Sequence, residues 1–421
     1  MATPSKRRKL KELLARASSI PVPRASSIPV PISIPISIPL NQVGIFISIP
    51  SYRDPQIVET VEDCLKRAKY PDRLFFGICE QNVQGKDPSC LFSRSLEQRV
   101  KDHYIFVDSI PFNEARGPCY ARERIETILL PLAKAASKDK QVEIKYMLCI
   151  DAHTLFYNNW DEIIEREFEA ESKRELEKSG GGGGDGTGEE KNGFYFTGYP
   201  PQYTHNKFTN RRSWRNCANN RNVFMRCTRF IGNGSPLFVN HHLSSSSTRP
   251  TYCVGMSAGF IFGRVEMFET VPYLKNVPFS FLGEETAMML RYFTHGYIPK
   301  TCPWQVVQTT YNRSSRPSFL SHQTRIQKNI IRTQSNQKIR DLLLGKETDI
   351  GKLGDKKSVQ EFEKYMGIDF KKGTMSVLAQ CGISGYDTND DLVIKYGLKD
   401  LQSVLRHCKI TREKQRPLIT F

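Results

Sequence analysis

The chain has 11 cysteines, yet it contains no Cys-x-x-Cys pair and the number of cysteines is odd. Their irregular spacing fits neither a zinc site nor a disulfide framework. Cys64, Cys79 and Cys149 fall inside apolar periodic stretches, where we expect them to be small buried hydrophobes. This use of cysteine favours a reducing compartment, and we therefore expect a cytoplasmic protein.

The chain also lacks a long uninterrupted apolar run after its basic first residues. Prolines interrupt every candidate segment there: Pro21, Pro23, Pro29, Pro31, Pro35 and Pro39. A membrane-spanning helix needs about 20 consecutive apolar residues. We therefore expect neither a cleaved signal nor a membrane span.

Acidic residues are few relative to basic ones, 44 against 61, and the formal net charge is +17. The excess is local, because basic side chains concentrate in residues 1–24 and 300–347. Such clusters attract nucleic acid, anionic membranes, diphosphates or acidic proteins, although most are simply solvated faces. Zinc-finger spacing, RNA-recognition aromatics and a long basic helix are all missing from the sequence, so we expect no specific nucleic-acid binding.

The first 42 residues have the composition of a leader. The octapeptide Arg-Ala-Ser-Ser-Ile-Pro-Val-Pro occurs at 16–23 and again at 24–31. Proline at this density removes backbone donors and prevents a regular helix. We predict a disordered, basic, Pro/Ser/Ile-rich segment over 1–42, whose basic run 6–9 fits a nuclear address and equally a solvated tail.

The rest of the chain alternates strand-like and helix-like patterns. Apolar runs of strand length lie at 43–49, 74–79, 104–107 and 146–150. Helical spacing follows the first run, with Asp54 as the predicted N-cap and Pro55 at the first helical position, and a further helix is predicted over 121–130. This alternation predicts an α/β fold whose mostly parallel sheet carries helices on both faces.

We divide this part into a catalytic domain over 43–345 and a small helical C-terminal subdomain over 346–421. Within the catalytic domain, glycines predict a flexible insertion over 179–192, and no Lys-Ser/Thr pair follows them as a phosphate-binding loop would require. Residues 201–250 are predicted to be a long polar excursion.

The triplet Asp151-Ala152-His153 directly follows the apolar run 146–150. A strand that ends in a carboxylate and an imidazole two residues apart points both side chains to the same side, which suits a divalent cation. In a parallel sheet, ligands bind at the carboxyl ends of the strands. Residues 48–53 and 80–81 follow the same rule, so we expect them to share one crevice with this triplet.

Glu284 and Glu285 open a predicted helix. Two acids at this position are explained by the positive end of the helix alone, or by a role in the same crevice. We keep both interpretations and treat the two glutamates as candidate catalytic residues.

Several blocks, taken in order, resemble one family, the cytoplasmic polypeptide N-acetylglucosaminyltransferases. The blocks are Phe46–Asp54, Ala115–Arg122, Ile150–His153 with Trp160-Asp161, Phe281–Glu285 with Tyr292–Gly296, Tyr311–Arg313 and Val359–Asp369. The best-known member of this family attaches GlcNAc to a hydroxyproline of a ubiquitin-ligase adaptor subunit. The resemblance covers roughly residues 43–370 of this chain.

The resemblance implies a GT-A type nucleotide-sugar transferase with a UDP-sugar donor, a divalent metal (Mn²⁺ or Mg²⁺) and a retaining course. It also implies residue roles. Ser48, Tyr52 and Arg53 would line the uridine end, and Arg116 and Arg122 would approach the nucleotide or its phosphates. Asp151 and His153 would hold the metal, whereas Glu284 and Glu285 would lie beside the reacting centre, with their individual roles left open.

One position departs from the family pattern. The family has His-x-Tyr-x-Arg near the end of its catalytic region, and the histidine is a third candidate metal ligand, but here Thr309 stands before Tyr311. Weaker metal affinity, substitution by His295 or water, and an altered donor or acceptor are all compatible with this change. Two rival functions therefore stay open: a catalytically silent GT-A-like binding protein, and a transferase of a different sugar such as glucose or galactose.

Overall fold

A computed structural model describes residues 42–178, 193–203, 223–242, 249–302, 304–311, 316–319 and 325–407. Three predicted segments lie wholly or mainly outside these residues: the leader, the insertion over 179–192, and the parts of the polar excursion at 204–222 and 243–248.

A seven-stranded sheet forms the centre of the described residues, in the order β3-β2-β1-β4-β9-β6-β10. The strands are β1 Val43–Tyr52, β2 Leu74–Asn82, β3 Ile105–Pro111, β4 Glu143–Ile150, β5 Thr154–Phe156, β6 Gly193–Thr197, β7 Val223–Phe230, β8 Pro236–His242, β9 Phe260–Arg264, β10 Tyr297–Thr301, β11 Val307–Thr309, β12 Ile368–Asp369 and β13 Thr374–Met375. Within the sheet only β9 runs antiparallel to its neighbours, β4 and β6. The mostly parallel sheet is therefore confirmed.

Helices cover both faces of this sheet. The α-helices that the structure describes are α1 Ile57–Arg67, α2 Glu97–Lys101, α3 Pro118–Arg124, α4 Leu130–Asp139, α5 Trp160–Lys178, α6 Val265–Thr270, α7 Glu284–Thr294, α8 Arg325–Leu343, α9 Val359–Met366, α10 Val377–Gln380, α11 Asn389–Tyr396 and α12 Leu401–His407. A π-helical turn, Ile125–Leu129, joins α3 to α4. The helix predicted over 121–130 is thus part of a longer helical segment.

The side chains of β1 show how the two faces are built. Ile45, Ile47 and Ile49 pack with α1 and α5 in one apolar cluster, whereas Phe46 packs with α3, α4 and α7 in another. Successive side chains of a strand point to opposite faces, so one apolar run serves both clusters. The predicted hydrophobes Cys64, Cys79 and Cys149 are buried thiols.

The predicted N-cap at Asp54 is wrong. α1 begins at Ile57, and Gln56 occupies the N-cap position. Asp54 Oδ1 accepts a hydrogen bond from the backbone N–H of Gln56 at 2.9 Å, while its other oxygen reaches His153. The cause is a turn at Arg53, whose φ of 48° directs the chain away from the strand before the helix starts.

The helical C-terminal region is confirmed. Phe362 and Tyr365 of α9 pack around Phe293 of α7, with ring centroids 5.3 and 5.2 Å away. Residues on both sides of position 345 contribute to the same apolar cluster, so the boundary there stays a prediction. Among the helices that the structure describes, none combines the length and apolar composition that a membrane span requires.

A buried ion cluster ties α5 to the segment before β2. Asp161, which is fully buried, accepts hydrogen bonds from the backbone N–H groups of Lys69 and Tyr70 at 2.7 and 3.0 Å. It also pairs with the buried guanidinium of Arg73 at 3.2 Å. The block Trp160-Asp161 therefore has a structural explanation.

Replacing Asp161 with Ala should lower the free energy of unfolding by about 3 kcal/mol, because two backbone donors lose their acceptor and the buried Arg73 loses one of its two carboxylate partners, Asp161 and Glu165. Urea unfolding measures the change. The matched control is Asp72→Ala, since Asp72 pairs with Arg99 but its side chain is 86% exposed. The control should change stability by less than about 1 kcal/mol, and equal effects of the two variants would contradict the structural role of Asp161.

Candidate active site

The carboxyl ends of β1, β2 and β4 open into a cavity of about 240 Å³, which we call the edge cavity. The predicted residues that line it are Tyr52, Gln81, Arg122, Asp151, His153 and Glu284. Asp54 and the segment 316–319 complete its wall. The expectation that the ends of these strands share one crevice is therefore confirmed for Tyr52, Gln81 and the Asp151–His153 triplet.

A second cavity of about 230 Å³ adjoins the first, and we call it the inner cavity. The two share Arg122, Asp151, His153, Phe281 and Glu284. The inner cavity continues past these residues to Glu285, Tyr199, Thr309 and the strand β8. The Asp151 carboxylate, with 32% of its side chain exposed, therefore stands where the two cavities meet.

His153 is oriented by a carboxylate. Its Nδ1 lies 3.0 Å from Asp54 Oδ2, so with Asp54 ionised this nitrogen carries the hydrogen and donates it. Its Nε2 then presents a lone pair, 3.9 Å from Asp151 Oδ2. Burial acts to raise the pKa of Asp54, but the hydrogen bonds from His153 and Gln56 and the charge of Arg316 lower it below its ordinary value.

These two side chains fit a divalent metal that brings other ligands with it. The described residues hold no cluster of three or more His, Cys, Asp or Glu side chains able to bind a metal. Mg²⁺ and similar ions are commonly held by one or two carboxylates while substrate phosphates and water supply the rest. A carboxylate behind a ligating histidine is also the usual second layer of a metal site. Asp151 and His153 therefore fit such an ion.

The structure shows where the departing residue Thr309 lies. Its hydroxyl donates to the backbone oxygen of His153 at 3.4 Å, so Thr309 lies beside the triplet. His295 ends α7, whereas Glu284 begins it, which separates the two by about 16 Å of helix. His295 Nδ1 contacts the backbone oxygen of Arg291 at 2.7 Å. The structure therefore does not bring His295 to Asp151.

Arg122 connects the carboxylates at the floor of both cavities. Its guanidinium is buried and contacts Glu284 Oε1 at 3.2 Å, Asp151 Oδ1 at 3.5 Å and the backbone oxygen of Ala258 at 3.3 Å. The ring of Tyr273 lies under it at 5.2 Å. This fixed cation faces the space where an anionic group of a ligand would approach Asp151.

Glu284 is held on both oxygens. Cys119 Sγ donates to Oε2 at 2.7 Å, and Arg122 occupies Oε1. Burial raises its pKa. Gly283, which precedes it with a φ of 93°, has no room for a side chain, because a Cβ there would lie 2.3 Å from Asn233 Nδ2. These contacts give Glu284 the character of a positioning residue for Arg122.

Glu285 faces the inner cavity. Its Oε2 accepts a hydrogen bond from the Tyr199 hydroxyl at 2.7 Å, and its Oε1 accepts one from the backbone N–H of Ala258 at 2.9 Å. Burial raises the pKa of Glu285 to about 7, against these two hydrogen bonds. A carboxyl group with such a pKa can change its protonation state near neutral pH, which suits acid–base work.

Three predicted nucleotide residues do not line either cavity. Ser48 is buried within β1, on the face of Tyr52 but four residues before the end of the strand. Arg53 lies beyond the turn and pairs with Asp87 at 2.8 Å. Arg116 lines a separate cavity of about 490 Å³, with its guanidinium over the ring of Tyr120. The structure therefore leaves Tyr52 and Arg122 as the nucleotide candidates.

Sequence reasoning missed residues that tertiary contacts bring to the site. Cys119 lies inside the family-like block Ala115–Arg122, but no local sequence pattern indicates that it contacts Glu284. Tyr199 comes two residues after the end of β6 and carries no motif. Gly259 is the clearest case, since a Cβ there would lie 2.7 Å from Asp151 Oδ2. A glycine just before an apolar strand was the available signal for a close approach.

This arrangement, a fixed cation and an exposed carboxylate at the carboxyl edge of a mostly parallel sheet, suits a transferase of nucleotide-activated groups. The family profile described as Glycosyltransferase (GlcNAc) matches residues 44–108 and 96–380. The chain belongs to this family of GlcNAc glycosyltransferases, which confirms the predicted class. No curated protein matches the chain.

Three solved structures are similar to this chain at low identity. GalNAc-T7 with UDP, GalNAc and Mn²⁺ has 13% identity and a TM-score of 0.39, covering 65% of this chain and 45% of that one. The mannosyltransferase PcManGT from Pyrobaculum calidifontis, with GDP-Man and Mn²⁺, has 13% identity and a TM-score of 0.34, covering 64% of this chain and 58% of that one. S. aureus TarS has 8% identity and a TM-score of 0.32, covering 64% of this chain and 37% of that one. This chain thus spans less than two thirds of each, and we draw nothing about the site from them.

Proposed function

We propose that this protein transfers GlcNAc from UDP-GlcNAc to a protein hydroxyl, with a divalent metal and with retention of configuration, on a GT-A type fold. Hydroxyproline of a ubiquitin-ligase adaptor is the acceptor that the ordered motifs imply, and the cysteine usage favours the cytoplasm, with the nucleus left open. The observation that carries the proposal is the position of Asp151, whose exposed carboxylate stands between two adjoining cavities.

The proposal assigns the nucleotide to the edge cavity and the sugar to the inner cavity. Tyr52 and Phe319, whose rings lie 6.2 Å apart in an edge-on arrangement, would form an aromatic wall for the base. Arg122 would donate to the diphosphate. A metal held by Asp151 and His153 would supply positive charge as the leaving diphosphate departs.

Asp54 should matter for the metal although it does not bind it. Asp54→Ala removes the acceptor that fixes the imidazole of His153, and we expect Mn²⁺ affinity to fall by about 10- to 100-fold. Titration of Mn²⁺ into a mixture of the protein and excess UDP, followed by electron paramagnetic resonance, measures this without turnover. Asp54→Asn keeps an acceptor oxygen and should retain most of the affinity. Equal affinities of wild type and Asp54→Ala would rule out the orienting role.

The experiment that tests the function is a calorimetric titration with UDP-GlcNAc, UDP-glucose and UDP-galactose, each with Mn²⁺ and with EDTA. We expect binding only with Mn²⁺, and tightest for UDP-GlcNAc. Release of UDP on prolonged incubation with a hydroxyproline peptide, whose hydroxyl receives the sugar, is measured by a coupled assay and separates an enzyme from the catalytically silent binding protein that Thr309 left open. Binding without any UDP release would favour that rival, and tighter binding of another UDP-sugar would change the donor.

A further inference from the structure

The outer wall of the inner cavity is apolar and exposed. Phe281, Leu282 and Tyr311 all line it, and their exposed fractions are 40%, 51% and 48%. We call these three residues the apolar rim. Large exposed apolar side chains that gather at one cavity mark a surface that another molecule covers.

Backbone contacts hold the apolar rim in this outward position. The backbone oxygen of Leu282 accepts a hydrogen bond from Asn233 Nδ2 at 2.8 Å, and the next residue is the tightly enclosed Gly283. The Tyr311 hydroxyl donates to the backbone oxygen of Pro200 at 2.7 Å. Two separate segments of the chain are therefore held in place at the rim. This reduces the loss of conformational entropy when a ligand binds to it.

Charge is distributed unevenly within this cavity. Its acidic and basic side chains are Arg122, Asp151, His153, Glu284 and Glu285, and they lie at the floor, while the apolar rim carries no charge. The floor is continuous with the edge cavity through the residues that the two cavities share. An occupant that contacts both surfaces must bring a polar reacting group to the floor and apolar atoms to the rim.

We infer that the apolar rim binds the polypeptide acceptor and selects a hydroxyl flanked by apolar side chains. The inference rests on the proposed function, which assigns the nucleotide to the edge cavity and the donor sugar to the floor of the inner cavity, and so leaves the rim for the acceptor. A hydroxyl on an apolar ring or beside leucine-sized neighbours satisfies both surfaces. A hydroxyl within a charged or serine-rich segment would leave the rim facing polar groups.

The test uses two synthetic peptides, each with one 4-hydroxyproline, that differ only in whether two leucines or two serines flank it. With wild-type protein, UDP-GlcNAc and Mn²⁺, we expect kcat/KM for the leucine peptide to be higher by about tenfold. Leu282→Ser and Phe281→Ser should each raise the KM for that peptide about fivefold or more. Leu282 does not line the edge cavity, so the donor affinity and melting temperature of Leu282→Ser should stay at the wild-type values. Leu91→Ser is the matched control, since Leu91 is 38% exposed and lines neither cavity.

Equal kcat/KM for the two peptides, or an unchanged KM in both rim variants, would overturn the inference. A fall in melting temperature and donor affinity in both variants would also overturn it, by showing that the rim serves the fold. If the leucine peptide neither reacts nor binds to the UDP- and Mn²⁺-loaded protein in calorimetry, the inference fails. If the same preparation still binds UDP-GlcNAc in a metal-dependent manner, only the inference fails. If it does not, the proposed function fails as well.

Discussion

Asp151→Asn should weaken Mn²⁺-dependent binding of UDP-GlcNAc by about 100-fold or more, because an amide replaces the carboxylate of the proposed metal site. The fold should be unaffected. The Asp151 side chain is one-third exposed, and its contact with Arg122 is long at 3.5 Å. Calorimetric titration with and without Mn²⁺ measures the donor affinity, and a thermal melt checks the fold.

Asp108→Asn is the control for this experiment. Asp108 lies in the middle of β3, pairs with Arg124 and lines neither cavity, so its replacement should leave donor affinity within about twofold of wild type. If Asp151→Asn binds the donor as tightly as wild type in Mn²⁺, the metal assignment is wrong. If both variants lose binding, the cause is the general loss of negative charge in this part of the protein, and not a metal bound by Asp151.

Glu285→Gln should lower kcat by about 10²- to 10⁴-fold, the range that general acid–base catalysis supplies. A carboxylate beside a reacting sugar works as a base or as a nucleophile, and both roles require the ionised form. Because burial raises the pKa of Glu285 to about 7, the ionised fraction increases as the pH rises through this value. The wild-type rate should therefore have an acidic limb near pH 7 that the glutamine variant lacks.

Tyr199→Phe refines the same prediction. The hydroxyl of Tyr199 donates to Glu285 and lowers its pKa, so removal of this hydroxyl should shift the acidic limb to higher pH. Glu126→Gln is the control, because burial also raises the pKa of Glu126, to about 8, but Glu126 lines neither cavity. An acidic limb that survives in Glu285→Gln and disappears in Glu126→Gln would contradict the assignment.

The same linkage predicts a small effect on stability. The folded pKa of Glu285 exceeds that of an unfolded glutamate, so the folded state binds more protons between the two values. The contribution of this group to stability therefore falls as the pH rises from about 4.5 to about 7. The pH that ionises the catalytic candidate is thus also the pH at which this residue opposes folding.

The parts of the site that sequence could predict are those set by strand ends. An apolar run fixes where β4 stops, and the side chains that follow it must meet those that follow β1 and β2. The parts that it could not predict depend on distant partners. Asp54 lies 99 residues from His153, and Cys119 lies 165 residues from Glu284. Locally, Asp54-Pro55 has the pattern of a helix start. Only the tertiary contact shows that Asp54 instead orients the imidazole of His153.

The reversed direction of β9 has a consequence for how the site varies. Because β9 runs against β4, its beginning lies at the edge where β4 ends, and Ile150 pairs with Phe260. The residues before β9 therefore bring main-chain groups to the floor: the N–H of Ala258 meets Glu285, and its carbonyl oxygen meets Arg122. Apart from proline at position 258, which would lack the N–H, a substitution leaves these main-chain groups in place and changes the segment through side-chain size. Gly259 has no side chain, and the Asp151 carboxylate occupies the space that a Cβ at this position would need.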